Sequence, residues 1–185
     1  GLLDIYIGYF GNYTRGIRPF LVRDNINADA NRLFRNRGGM RFEDVTDGSG
    51  AGDTGWAQAV AHVDFDGDGW QDLVVANGND MNRERVIVYY NRGDGTFHDV
   101  ALDWGIAVNA KGQTEANMGI AYGDIDGDAR QDVVIAHLVN EHDTLWRVVA
   151  QHAGSVLFRD ETYDAGLGID SQRLTGWGTA LSDFD

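Results

Sequence analysis

Apolar residues in this chain fall in short runs separated by stretches rich in Gly, Asp and Asn, and the runs recur. Ala57 to Val63 and Asn117 to Gly123 are small-residue, apolar runs that lead into Asp-rich segments. Leu73-Val74-Val75-Ala76 and Val133-Val134-Ile135-Ala136 leave those segments as continuous apolar stretches, the pattern of fully buried strands. Arg85 to Tyr90 and Thr144 to Ala150 are richer in β-branched and aromatic residues. Asn91-Arg92-Gly93-Asp94-Gly95 then turns the chain into Thr96 to Val100, a hairpin signature. Each unit of about 60 residues therefore predicts four short strands.

The polar segments repeat as faithfully as the apolar ones. Asp64-Phe65-Asp66-Gly67-Asp68-Gly69-Trp70-Gln71-Asp72 recurs 60 residues later as Asp124-Ile125-Asp126-Gly127-Asp128-Ala129-Arg130-Gln131-Asp132. A third start, Asp183-Phe184-Asp185, stands at the C-terminal end, and Gly1-Leu2-Leu3-Asp4 matches the second half of the same segment. Asn36-Arg37-Gly38 and Phe42-Glu43-Asp44-Val45 align with Asn91-Arg92-Gly93 and Phe97-His98-Asp99-Val100, and a weaker copy carries Phe158 and Asp160. A Gly follows each copy at one distance: Gly50, Gly105 and Gly166. A β-sandwich would not repeat internally. Four strands per repeat predict an all-β chain of propeller blades, each of four antiparallel strands with an acidic hairpin loop. The divisions fall at a partial blade 1–56, blades 57–116 and 117–176, and the start of another at 177–185.

Composition narrows the function. The formal charge is −14, from 29 acidic and 15 basic residues, which repels phosphate backbones and disfavours nucleic acid as a partner. No apolar stretch approaches the ~18 residues of a membrane span, so no membrane insertion is expected. There is no Cys, which excludes disulfides, thiolate metal sites and cysteine nucleophiles. Aspartate outnumbers glutamate 24 to five, and Asp belongs to turns and cation-binding loops.

Asp64, Asp66, Asp68 and Asp72 occupy positions 1, 3, 5 and 9 of one loop, and Asp124, Asp126, Asp128 and Asp132 those of the next. Alternate spacing lets carboxylates converge on a point, and the backbone carbonyls of Trp70 and Arg130 at position 7 would add another oxygen. Hard oxygen donors in this number suit Ca²⁺ rather than Zn²⁺. Position 12 is Val75, and no helices flank the loop, so this is not an EF-hand. Gly69 permits the sharp turn at position 6, whereas Ala129 reaches it only with strain. Asp4 at one end and Asp183 with Asp185 at the other are candidate half-sites.

These loops, the Asn-Arg-Gly turns and the Phe-x-Asp-Val segments resemble the FG-GAP/VCBS repeats of integrin α-subunit propellers and cartilage acidic protein-like proteins. The resemblance implies a β-propeller with Ca²⁺ in the hairpin between the first two strands of each blade. It also implies an extracellular, secreted or cell-surface adhesion or assembly module rather than an enzyme. Carbohydrate-binding propellers, and propeller domains of polysaccharide-active enzymes, are the alternatives, so the partners expected beside calcium are a glycan or protein ligand. Three blades do not readily close a ring, so further blades of a longer chain or self-association are expected.

Other features point less far. An insertion of about 13 residues within 8–30 carries Arg15, Arg18, Pro19, Arg23 and the sequon Asn12-Tyr13-Thr14, which makes Asn12 a glycosylation candidate. Arg92-Gly93-Asp94 reads as a hairpin turn rather than a recognition tripeptide. The five histidines show no metal-ligand spacing, and no nucleophile motif occurs. Among the tryptophans, Trp70 is the best candidate for a ligand-stacking platform.

Overall fold

The computed structural model describes residues 1–11, 29–78, 84–168 and 171–183. Its strands form three antiparallel sheets. The first holds β1 (Ile5–Ile7), β2 (Arg32–Asn36) and β3 (Phe42–Asp44). The second holds β4 (Ala57–Val63), β5 (Asp72–Asn77), β6 (Ile87–Asn91) and β7 (Phe97–Asp99). The third holds β8 (Ile120–Gly123), β9 (Asp132–Ile135), β10 (Thr144–His152) and β11 (Ser155–Asp160). Each sheet is a meander in which strands adjacent in sequence are hydrogen-bonded neighbours. Among the described residues helix is confined to single turns, of which Thr46–Ser49 is interrupted by non-helical Asp47 and Gly48.

The repeated polar residues tie each meander together. Asn36 and Asn91 end β2 and β6, and the side-chain oxygen of each accepts the amide of Gly38 or Gly93, which shapes the turn that follows. Their side-chain amides reach back to the carbonyls of Leu3 and Gln71, fastening the turn to the preceding loop. Asp44 and Asp160 close the last strands of their sheets by accepting both the amide and the hydroxyl of a Thr two residues on. Asp94 is used in the same way by Thr96, so the Arg92-Gly93-Asp94 tripeptide is a hairpin turn, with the Trp70 ring lying against Gly93.

Alternation along the second strands decides which face meets which sheet. Leu73, Val75, Ile87 and Tyr89 join Ala51 and Tyr6 in a cluster between the first and second sheets. Val74 and Val88, pointing the other way, join Val133, Ile135, Trp146 and Val148 between the second and third. The second sheet is thus buried on both faces. Ile5 and Ile7, the counterparts of Leu73 and Val75, are 41% and 38% exposed, because among the described residues no sheet lies against that side.

Gly50, Gly105 and Gly166 all adopt φ near +80°, a left-handed conformation suited to Gly. Gly50 turns against the backbone of Phe97 in the second sheet, and Gly105 against Phe158 in the third. The next residues, Ala51 and Ile106, are fully buried by that contact, while Leu167 after Gly166 is 43% exposed. The repeat glycine is therefore the hinge that inserts the following residue into the neighbouring sheet.

Trp177 to Ser182, within the span 177–185 where another blade is expected to start, makes no ladder among the described residues. Its backbone at Trp177 and Gly178 instead lies about 3 Å from where a Cβ on Gly119 would sit, beside the start of β8. A strand is defined by its partner, and none of the described strands is paired with this segment. Trp56, Trp104 and Trp146 are buried, while Trp70 and Trp177 are exposed.

Candidate metal centre

The two acidic loops are the hairpin connections β4–β5 and β8–β9, closed by the pairs Val63–Asp72 and Gly123–Asp132. Backbone amides fold each loop around its first carboxylate. Asp64 Oδ1 accepts from the amides of Gly67 (2.9 Å) and Asp68 (3.2 Å), and Oδ2 from that of Gly69 (2.9 Å). Asp124 does the same with Gly127, Asp128 and Ala129 at 2.8, 3.0 and 2.9 Å. Ala129 keeps the loop shape at φ +68° where Gly69 has +91°.

Position 9 has a distinct duty. Asp72 is buried, and its two oxygens accept the amides of Phe65 (3.3 Å) and Asn91 (2.8 Å). Asp132 is also buried and bonds the amides of Ile125 (3.2 Å) and Val148 (2.9 Å). Asp4 accepts the amide of Asn36 at 2.8 Å, which is the same bond in the first sheet. These carboxylates lock the loop to the third strand. Burial pushes Asp72 up to about 7 and raises Asp132 as well.

The remaining carboxylates converge. Asp64, Asp66 and Asp68 place one oxygen each within 4.8 Å of the others, and so do Asp124, Asp126 and Asp128. Asp72 and Asp132 stand outside these triads, as do Asp4 and the exposed Asp183. Trp70 and Arg130 lie in the loops, and their amides bond Asp68 and Asp128. Asp185 and Asn12 fall outside the described residues.

The surroundings of the triads differ. Phe65, in the first loop, is fully buried against Trp104 and Phe158, with ring centroids 6.2 and 5.1 Å away. Beside it, Asp66 Oδ2 accepts the amide of Gly154 from the β10–β11 turn at 2.5 Å, so the third sheet closes over this loop. Among the described residues no Lys, Arg or His is paired with Asp64, Asp66 or Asp68, and Tyr90 Oη donates to Asp68 at 3.2 Å. Burial and then its Asp neighbours raise Asp66 above the ordinary carboxylate range, opposed by the two amide bonds. In the second loop Arg147 is hydrogen-bonded to Asp126, and Arg130 to Asp128 through Nε at 3.0 Å and through a second guanidinium nitrogen. Arg147 also lies 3.7 Å from Asp128. The hydrogen bond from Arg130 holds Asp128 below its usual range.

Unit charges 4 Å apart near a protein surface interact by about 4 kcal/mol, so a triad without a counter-charge calls for a cation. Asp64, Asp66 and Asp68 fit a hard divalent ion: all donors are oxygens and none is spent on a basic side chain. Asp124, Asp126 and Asp128 converge in the same way, with guanidinium groups bonded to two of them.

Sequence reasoning missed Arg147, the Gly154 amide and the core role of Phe65. Arg147 stands one residue before Val148, as Tyr90 does before Asn91, and aligning third strands through their bond to position 9 would have found it.

The third sheet also borders a cavity of about 550 Å³ lined by Asn109, Lys111, Glu115, Glu141, His142 and Tyr163, among others. Burial pushes Glu115 up to about 7 and His137, 3.7 Å from it, down to about 4.

The architecture and its loops define a class: an all-β repeat protein, two of whose sheets carry an acidic hairpin between their first two strands. The model of the FG-GAP-like repeat matches residues 1–75 and 64–135, and the chain belongs to that family. No curated protein matches it.

Proposed function

We propose that the chain is a calcium-stabilised segment of an extracellular β-propeller that serves adhesion or structural assembly and performs no catalysis. The carrying observation is the Asp64–Asp66–Asp68 triad, which has no basic partner among the described residues and is covered by the third sheet. Asp64, Asp66 and Asp68 would hold the ion, which supplies the positive charge the triad lacks, while Asp72 keeps the loop fastened to β6. Family membership supports an adhesion or structural role for the repeats. No helix among the described residues is long and apolar enough to cross a membrane. Extracellular sites of this kind bind with Kd of roughly 10⁻⁴ to 10⁻³ M, which suits a compartment near 1 mM calcium. The open faces at Ile5–Ile7 and Leu167 suit further blades, from a longer chain or from a second copy. Thermal unfolding in 1 mM CaCl₂ and in excess chelator tests the reading: a higher Tm with calcium supports it, and identical curves overturn it.

A second reading, carbohydrate binding, is favoured by the polar cavity, whose size falls in the range of small-ligand sites and whose lining includes half-exposed Tyr163. Binding on a glycan array that Tyr163→Ala abolishes would support it over the adhesion reading.

A further inference from the structure

The structure points to a division of labour between the two acidic loops, and we propose that Arg147 and Arg130 are the resident cations of the second loop, which takes no divalent ion. This deepens the calcium reading of the first loop and rests on it for the contrast. The two loops share their backbone: the first carboxylate gathers the same three amides, and the ninth bonds the same two positions. What differs is the charge brought to the triad. Position 7 is Trp70 in one loop, lying against Gly93, and Arg130 in the other, folded onto Asp128. The residue before the amide that bonds position 9 is Tyr90 in one sheet, a neutral donor to Asp68, and Arg147 in the other, bonded to Asp126. Two independent positions have changed together, both to arginine and both onto the same triad.

The two guanidiniums bring two positive charges, the same as one divalent ion. They also present planar N–H forks that match carboxylates, and they stay charged at any working pH. Arg147 further reaches Glu161, at 3.7 Å, so the acidic loop is tied to the residue after β11. A divalent ion entering this loop would have to expel both side chains and forgo those bonds. The first loop asks for no such exchange.

The test counts bound ions by isothermal titration of the full chain with CaCl₂, with circular dichroism confirming the fold of each variant. The wild type is expected to bind one ion per chain, and Asp66→Asn to bind none. Replacing Arg130→Trp and Arg147→Tyr together, which installs the second sheet's residues, is expected to add one site that persists in the Asp66→Asn background. If that pair misfolds, Arg130→Gln with Arg147→Gln serves the same purpose. Two ions on the wild type, one of them lost on Asp126→Asn, would overturn the proposal. So would folded double variants that gain no site, or a site gained by Ala129→Gly alone, which would assign the exclusion to backbone strain. A wild type that binds none while the double variant binds one would uphold the arginines and overturn the calcium reading of the first loop.

Discussion

The second and third sheets share a meander, a loop shape and a set of fastening bonds, yet they treat their acidic triads in opposite ways. The second sheet's loop is capped by its neighbour, with Phe65 in the core and Asp66 on the Gly154 amide, and among the described residues it holds its acids without a basic partner. The third sheet's loop is open: Ile125 is 46% exposed, and arginines cover its acids. The contrast extends to the far end of the second strands. Asn77, which closes β5, donates to Asp53 at 2.7 Å. Its counterpart His137 lies 3.7 Å from Glu115 instead, replacing an amide–carboxylate bond with two groups that burial shifts in opposite directions, His137 down to about 4 and Glu115 up to about 7. Repetition preserves the backbone frame, and the side chains facing each loop determine where a counter-charge comes from.

The largest expected effect separates the two loops by packing. Phe65→Ala removes a fully buried ring from between the second and third sheets, and large aromatic truncations in cores cost about 3–5 kcal/mol. Ile125→Ala at the same loop position should cost less than about 1 kcal/mol, since the side chain is half in solvent. Denaturant unfolding of both variants checks this. Equal losses would mean that Phe65 is not what joins the loop to the third sheet.

Next in size is the titrating pair of the third sheet. Glu115 is pushed up to about 7 by burial, opposed by its bond from Asn109 and the nearby Lys111 and reinforced by Glu141 and Asp160. Its contribution is complete below about pH 4.5 and is lost as pH rises through 7. His137, pushed down to about 4, contributes fully above pH 6.5 and loses that contribution as pH falls through 4. The two slopes oppose each other between pH 4.5 and 6.5, so the wild type should vary little there on their account. Glu115→Gln deletes one slope. The variant should gain on the wild type as pH rises from 5 to 7.5, by at most about 3 kcal/mol at ~1.4 kcal/mol per pKa unit. A stability difference that stays constant with pH would show that Glu115 is ionised when folded.

The calcium response should distinguish the loops by a smaller amount. At 1 mM Ca²⁺ and a Kd of about 10⁻⁴ M, one site adds roughly 1.4 kcal/mol, or about 3–6 °C in Tm for a chain of this size. Asp66→Ala should abolish that increment. Asp126→Ala should leave it in place while lowering Tm with and without calcium, because it strands Arg147. An increment lost equally in both variants would erase the distinction.

Much of this was legible in the sequence, for identifiable reasons. The strands were readable because apolar runs such as Leu73–Ala76 are bounded by residues that must turn, and the acidic spacing names its own loop. The Asn-Arg-Gly motif located a turn because its Asn bonds the Gly amide locally. Contacts between sheets were not legible. Gly154 lies 88 residues from Asp66, and nothing in the local pattern links them. Arg147 sits in a strand whose register shifts between Val148 and Ala150, which hid its equivalence to Tyr90. The spacing at Asp72 suggested a ligand, and its bonds to the amides of Phe65 and Asn91 became visible only once β6 lay beside it.

The smallest effect isolates backbone from charge. Ala129 at φ +68° carries a Cβ in the left-handed region, while Gly69 holds the same place without one. A left-handed residue with a Cβ costs roughly 1–2 kcal/mol, partly offset because Gly gains more freedom when unfolded. Ala129→Gly should therefore stabilise the chain by up to about 1 kcal/mol, and Gly69→Ala should destabilise it by a similar amount. No other atom lies within 4 Å of a Cβ built at Gly69, so the second change introduces strain without a clash. Neither substitution touches a guanidinium, so if arginines exclude the ion from the third sheet's loop, Ala129→Gly will raise Tm equally in calcium and in chelator. A gain seen only in calcium would mean that the strained alanine, rather than Arg130 and Arg147, had kept that loop empty.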